Sequence, residues 1–296
     1  MHILNVIWNE TPTGEFEHGL QVWKCGSRSP ITFPIILGEK VSWTIQGPKT
    51  CIGYLDSKMQ TNQCPDTMQL PKTSIKCGPC SAMDFVQACV RCDGRNCLAQ
   101  PERWEKCKNT EYAIYVALFK SGAVKVGVST LGRVRTRCIE QGADYAAIVQ
   151  KVTGGKLARS IESRLGHLIG VTKSVRASTK AKHLLTSLTA SDAMSKIETF
   201  LTQSGLAPDE DVNLHDLSKH YNLESLDSLP RPILKRGESI PGTTILGKVV
   251  GLKGPLLVVT LDGLYKFVNL KRFIGYFLDL DSDVSIINQT GLSEFV

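Results

Sequence analysis

An α+β fold is predicted by three features of the sequence. β-branched and aromatic runs alternate about glycine turns, two helical stretches follow one such hairpin, and eight cysteines crowd between Cys51 and Cys107. These features divide the chain into an N-terminal β region (1–50), a Cys-rich zinc-binding segment (51–110) and an α/β core of a small antiparallel sheet with helices (111–205). A helical linker (206–238) and a C-terminal small β domain (239–296) complete it.

In the N-terminal region, residues 19–23 and 40–45 read as short strands separated by a Pro- and Gly-bearing segment at 30–38. His2 and His18 lie here without a partner at metal spacing, so surface or capped imidazoles are expected. The next segment carries Cys51, Cys64, Cys77, Cys80, Cys89, Cys92, Cys97 and Cys107, with Cys77/Cys80 and Cys89/Cys92 as Cys-x-x-Cys units. Two thiolates on one tight turn reach a single tetrahedral ion, so the pattern points to structural zinc. Eight cysteines suit two ions. Chain order assigns Cys51, Cys64, Cys77 and Cys80 to one and Cys89, Cys92, Cys97 and Cys107 to the other, while joining both Cys-x-x-Cys units on one ion is the competing arrangement. Cys77-Gly-Pro-Cys80 also has the form of a redox dithiol, but no βαβ pattern introduces it. A closed Cys₄ shell leaves no open position for catalysis.

The core opens with a strand at 112–118, turns at Ser121-Gly122 and returns at 124–128. A helix at 131–141 follows, carrying Arg133, Arg135 and Arg137 and closing at Gly142, where a left-handed cap costs least. Cys138 falls on its apolar side with Leu131 and Val134 and reads as a small buried hydrophobe; Cys25 also stands outside the cluster. A second helix at 156–169 sets Leu157, Ile161, Leu165 and Leu168 at helical spacing, with Glu162 flanking that stripe.

Beyond Gly170, the run at 172–182 combines Lys173, Arg176, Lys180 and Lys182 with hydroxyls, and reads either as a phosphate-contacting surface or as a solvated face. A helix from about Ser191 presents Met194, Ile197 and Leu201 and stops at Gly205. After an acidic run at 207–211, Leu214, Leu217 and Tyr221 suggest a short helix before a linker at Pro230-Arg231-Pro232. Strands follow at 245–250, 256–261 and 264–269, the last two joined by an Asp262-Gly263 turn. They either form a small barrel or pack on the N-terminal strands, bringing the chain ends together.

A hydrophobic fraction of 42% and a charged fraction of 21% describe a globular chain. The net charge of +7 favours approach to a polyanion, and on charge alone a nucleic-acid partner, DNA or RNA, and a basic protein that touches none stay equally open. Residues 1–10 lack a basic n-region and an apolar h-region, and no run is long enough to span a bilayer, so a cytoplasmic protein without a membrane partner is expected. A reducing compartment also suits cysteines that bind metal. Oligomeric state has no signature in the sequence.

The order Ala113-Ile114-Tyr115, Lys125-Val126-Gly127, an arginine helix and then Ala158-Arg159-Ser160-Ile161-Glu162 resembles the GIY-YIG nuclease core. More closely, Lys125-Val126-Gly127-Val128 followed by Arg137-Cys138-Ile139-Glu140-Gln141-Gly142-Ala143 resembles a prokaryotic family catalogued only as a domain of unknown function. In that family a cysteine-rich segment precedes such a core, and the likeness extends from about Gly38 to the C-terminal strands.

The resemblance implies that Tyr115 assists proton transfer, that an arginine stabilises phosphate charge, and that Glu162 holds Mg²⁺ or Mn²⁺. Gapless spacing from Gly127 points to Arg135, and the Glu-Gln-Gly-Ala neighbourhood to Arg137. Arg135 sits beside the apolar face, whereas Arg133 and Arg137 form a more exposed pair. Lys125 replaces the second motif tyrosine and Glu140-Gln141 stands where His-Asn is expected, so Lys125 becomes a candidate charge stabiliser. The implied function is that of a zinc-containing, nucleic-acid-acting protein, extending to a divalent-metal-dependent endonuclease. A non-catalytic RNA- or DNA-binding module and a zinc-stabilised protein-interaction protein are the alternatives.

Overall fold

The computed structural model describes residues 1–207 and 211–280. Alternating apolar side chains build four N-terminal strands, β1 (His2–Glu10), β2 (Phe16–Trp23), β3 (Ile31–Pro34) and β4 (Lys40–Gln46). In β4, Val41, Trp43 and Ile45 point inward. β1 and β3 were not expected. In β1 a register shift between Ile3 and Asn5 interrupts the alternation that would have marked it.

The cysteine segment holds only a short hairpin, β5 (Tyr54–Leu55) and β6 (Thr61–Asn62), and three small helices: α1 (Gly78–Met83), α2 (Gln87–Val90) and α3 (Pro101–Lys108). The core follows with β7 (Glu111–Leu118), β8 (Val124–Thr130), α4 (Val134–Glu140), β9 (Tyr145–Thr153), α5 (Gly155–Leu165), α6 (Ala177–Lys182) and α7 (Ala190–Ser204). After it come β10 (Leu214–Asp216), β11 (Arg231–Pro232), β12 (Thr244–Lys253), β13 (Leu256–Leu261), β14 (Leu264–Asn269) and β15 (Phe277–Asp279).

Strand pairing merges the two outer β regions. β4 pairs antiparallel with β12, placing Trp43 opposite Ile245, and β15 lies between β4 and β1. A nine-stranded sheet results, in the order β11-β14-β13-β12-β4-β15-β1-β2-β3. Residues 1–50 and 239–280 are therefore halves of one sheet. The run Pro230-Arg231-Pro232 is not a free linker, because β11 pairs parallel with β14.

The core sheet runs β10-β9-β7-β8. β9, between the two helices, was not expected, and it pairs with β7 along its whole length. β7 is covered on both faces. Ile114, Val116 and Leu118 pack with Ala158 and Leu165 of α5 and Ile197 and Phe200 of α7, whereas Ala113, Tyr115 and Ala117 join α4 and the large sheet in the other core. Such two-sided burial erases the alternation that marks a half-exposed strand.

Other boundaries differ from expectation. A 3₁₀ turn occupies Leu131–Arg133 before α4, and Gly142 has the left-handed φ of 69°. α5 ends at Leu165, and its buried face uses Ala158 and Leu165, leaving Leu157 53% exposed. The short helix expected around Leu214 and Tyr221 is strand β10 and a 3₁₀ turn at Ser218–Tyr221. α7 closes at Gly205 as its glycine predicts. Part of the acidic run at 207–211, and residues 281–296 of the expected C-terminal domain, lie outside the described residues. Among the described residues, no helix is long and apolar enough to cross a membrane.

The core is joined to the large sheet through a polar knot. Asp144, buried ahead of β9, pairs with buried Lys253 at the end of β12 and accepts from the Lys120 amide at 2.7 Å. Tyr221 donates to the Ala143 carbonyl at 2.5 Å, and Trp8 Nε1 donates to the Gly254 carbonyl at 2.9 Å. Every partner in this knot is satisfied, as a buried polar network requires.

Candidate functional site

Cys51 follows β4, Cys64 follows β6, Cys77 caps α1 and Cys80 lies within it. All four are buried, and their sulfurs lie within 4.8 Å of one another, Cys64 and Cys77 at 3.9 Å. A tetrahedral zinc with bonds of about 2.3 Å separates its sulfurs by about 3.8 Å. The amides of Gly53 and Cys77 donate to Cys51 Sγ at 3.4 and 3.2 Å, and the Cys80 amide donates to Cys77 Sγ at 3.5 Å. Burial pushes the Cys51 and Cys80 thiols above their ordinary range, so a cation is what would stabilise four thiolates here. The donor set fits zinc, and these four cysteines can hold one ion.

This grouping separates Cys77/Cys80 from Cys89/Cys92. No other set of three or more Cys, His, Asp or Glu ligand atoms gathers this closely among the described residues. Cys89, Cys92, Cys97 and Cys107 nonetheless line one cavity with Arg103, Tyr112 and Gly155. Arg103 Nε donates to Cys89 Sγ at 3.2 Å and the Tyr112 hydroxyl to Cys107 Sγ at 3.6 Å. Gly155 opens α5 directly beneath Cys107, where a Cβ would lie 2.5 Å from the sulfur.

The second site centres on Tyr115. Its ring lies across β8 opposite Gly127, and a Cβ at Gly127 would overlap the phenol carbon and oxygen. Gln141, just past α4, donates from Nε2 to the Tyr115 oxygen at 2.6 Å and accepts from Lys125 Nζ at Oε1 at 2.5 Å. Burial raises the Tyr115 pKa strongly, so the hydroxyl keeps its proton. Burial, then Arg137, lowers the Lys125 pKa. Glu162 on α5 is close enough to act on both groups electrostatically, and its carboxylate pairs with Arg159 at 2.7 Å.

The two candidate arginines face different ways. Arg137 lies beside Tyr115 and donates to Glu140 at 3.2 Å, a carboxylate it shares with Arg133. Arg135 turns to the large sheet, where it pairs with Glu10, donates to the Gly14 carbonyl at 3.2 Å and lies 5.4 Å from the Phe16 ring centre. Tyr115, Lys125, Arg137 and Glu162 are thus brought together and Arg135 is not.

Two further groups belong to this neighbourhood. Gln141 marked only a departure from a motif in the sequence, yet it links Tyr115 to Lys125. Lys271, in a 3₁₀ turn after β14, shows no motif at all and reaches Arg137 only through the tertiary fold.

No curated protein and no solved structure matches the chain. The sequence profile of a family described as a protein of unknown function (DUF2797) matches residues 38–278, which span the cysteine centre, the Tyr115 site, the core sheet and the large sheet from β4 onward, but not β1, β2 and β3. The chain belongs to the DUF2797 family.

Proposed function

We propose that this is a zinc-organised protein that engages a nucleic-acid phosphodiester at a GIY-YIG-like centre of Tyr115, Lys125, Arg137 and Glu162, and cleaves it with a divalent metal. The observation that carries this reading is the convergence of a buried tyrosine, two cations and a helix carboxylate from β7, β8, α4 and α5. Arg137 and Lys125 would neutralise a bound phosphate, arginine offering its planar fork. Tyr115, protonated and oriented by Gln141, would move a proton at its hydroxyl. Glu162 would hold Mg²⁺ or Mn²⁺, and one carboxylate with substrate oxygens is an ordinary Mg²⁺ donor set. Such an ion, when bound, polarises a phosphoryl oxygen or activates water.

The zinc complement extends to a second ion at Cys89, Cys92, Cys97 and Cys107. This is supported by their shared cavity and by the cation and hydroxyl aimed at two of the sulfurs. Metal analysis should give two zinc ions per chain, falling to one in Cys92→Ser.

The deciding assay incubates purified protein with DNA and RNA in Mg²⁺ or Mn²⁺. Wild type should cleave, while Glu162→Gln and Tyr115→Phe should lose most turnover yet keep their affinity, since such losses fall on the transition state. Nucleic-acid binding without metal-dependent cleavage, unchanged in Glu162→Gln, would replace the nuclease by a binding module. The replacement of the second motif tyrosine by Lys125 is the observation favouring that second reading.

A further inference from the structure

Around Gln141 the protein gathers cations from four separate elements. Lys125 comes from β8 and donates to the Gln141 side chain. Lys180 comes from α6, donates to the Gln141 carbonyl, and has its ammonium 5.5 Å from the Phe119 ring centre. Arg137 comes from α4 and Lys271 from the turn after β14. Of the nearby carboxylates, Asp144 pairs with Lys253 and Glu162 with Arg159, while Glu140 pairs with Arg133 and with Arg137 of this group. Among the described residues no carboxylate forms an ion pair with Lys125, Lys180 or Lys271.

The exposed carbonyls at the end of α4 attract one cation through the helix dipole. They do not account for three lysines and an arginine that repel one another. Burial lowers the Lys180 pKa to about 8, with Lys271, Lys253 and Lys125 adding to the fall and Asp144 opposing it. Burial and then Arg137 act in the same direction on Lys125 and Lys271. Lys125 and Lys180, half-buried and without a carboxylate partner, beside exposed Lys271 and Arg137, are the electrostatic complement of an anion.

We infer that Lys125, Arg137, Lys180 and Lys271 form one phosphoryl-binding pocket around Gln141, so that α6 and the large sheet complete a site the Tyr115 core does not build alone. The phosphoryl group is that of a polynucleotide backbone, and in this the inference rests on the proposed function. Its approach draws Lys180 back toward full protonation, because an adjacent anion favours the charged form. Affinity therefore falls as pH rises through about 8, and binding near that pH takes up protons.

The test uses the zinc-loaded full chain and two probes, inorganic phosphate and a short single-stranded oligonucleotide, titrated calorimetrically at pH 7 and pH 9. Both should bind more tightly at pH 7, and phosphate should compete with the oligonucleotide. Lys180→Met and Lys271→Ala should each weaken binding about tenfold, the scale of one charge-assisted hydrogen bond. Lys180→Arg should keep affinity but lose much of the pH dependence, which separates a binding role from a folding one. Lys182→Ala, on the exposed side of α6, should change little. Unchanged affinity in Lys180→Met, equal losses in Lys182→Ala, or no phosphate binding at either pH would overturn the pocket. Phosphate binding with no oligonucleotide binding would overturn the polynucleotide source alone. Tight, Lys180-dependent binding without cleavage would remove the nuclease and leave the pocket standing.

Discussion

At the scale of single residues, a missing side chain makes room for a buried one. Gly127 faces Tyr115 across the β7–β8 ladder, and the phenol fills the space a Cβ would take. Gly127→Ala should destabilise the fold by about 1–3 kcal/mol, the usual cost of overpacking, measured by urea denaturation. It should also break the Tyr115–Gln141 hydrogen bond, seen as a shifted Gln141 side-chain amide resonance. Lys180 gives a pH signature of its own. Its folded pKa of about 8 lies below the unfolded value of 10.5, so between them the unfolded chain carries more protons. Its contribution to stability is fully present above 10.5 and is lost as pH falls through about 8. Urea midpoints taken between pH 7.5 and 10 should follow this rise in wild type and flatten in Lys180→Met.

At the scale of elements, the buried Asp144–Lys253 pair fastens the start of β9 to the end of β12. Removing one partner strands a buried charge, so Asp144→Ala or Lys253→Met should each cost about 3–5 kcal/mol. Replacing both together by apolar residues should recover much of that loss, and a double-mutant cycle measures the coupling. The cysteine segment is fastened to α5 in a different way. Gly94, at φ 84°, sits where a Cβ would strike the Ser160 amide and the Lys156 carbonyl, and α5 carries Glu162. Gly94→Ala should therefore loosen the cysteine loop from α5, read as faster amide exchange in both segments.

For the whole molecule, the Cys51 centre joins a region poor in secondary structure to the large sheet. The Thr50 amide donates to the Gly275 carbonyl at 2.7 Å and the Thr50 hydroxyl bonds His2 at 3.0 Å, just before Cys51. The segment's own buried cluster consists of the four cysteines with Tyr54 and Leu70 packed against them, too little apolar area to order it unaided. A strong chelator should therefore lower the melting temperature and expose residues 51–85 to protease, while the core sheet keeps its exchange protection. Cys77→Ser should reproduce that pattern. Chelator-insensitive melting of fully metal-free protein would count against structural zinc.

Features that depend on neighbours a few residues apart were legible in the amino-acid order alone. The Cys77/Cys80 spacing marked a clamp that can hold a metal, Gly142 and Gly205 marked helix ends, and the runs before and after Asp262-Gly263 marked a hairpin. Tertiary structure decided what depends on pairing across the chain. It selected the chain-order set of Cys51, Cys64, Cys77 and Cys80 over the union of both Cys-x-x-Cys units, because the β5–β6 hairpin carries two distant loops to the cap of α1. It made strands of residues 145–153, whose apolar side chains meet cover on both sheet faces and so show no period. It turned Arg137 toward Tyr115 and Arg135 toward Glu10, because α4 lies between the core sheet and β1. It also delivered Lys180 to Gln141 from 39 residues away along the chain and Lys271 to the neighbourhood of Arg137, a convergence of charge that no local spacing encodes.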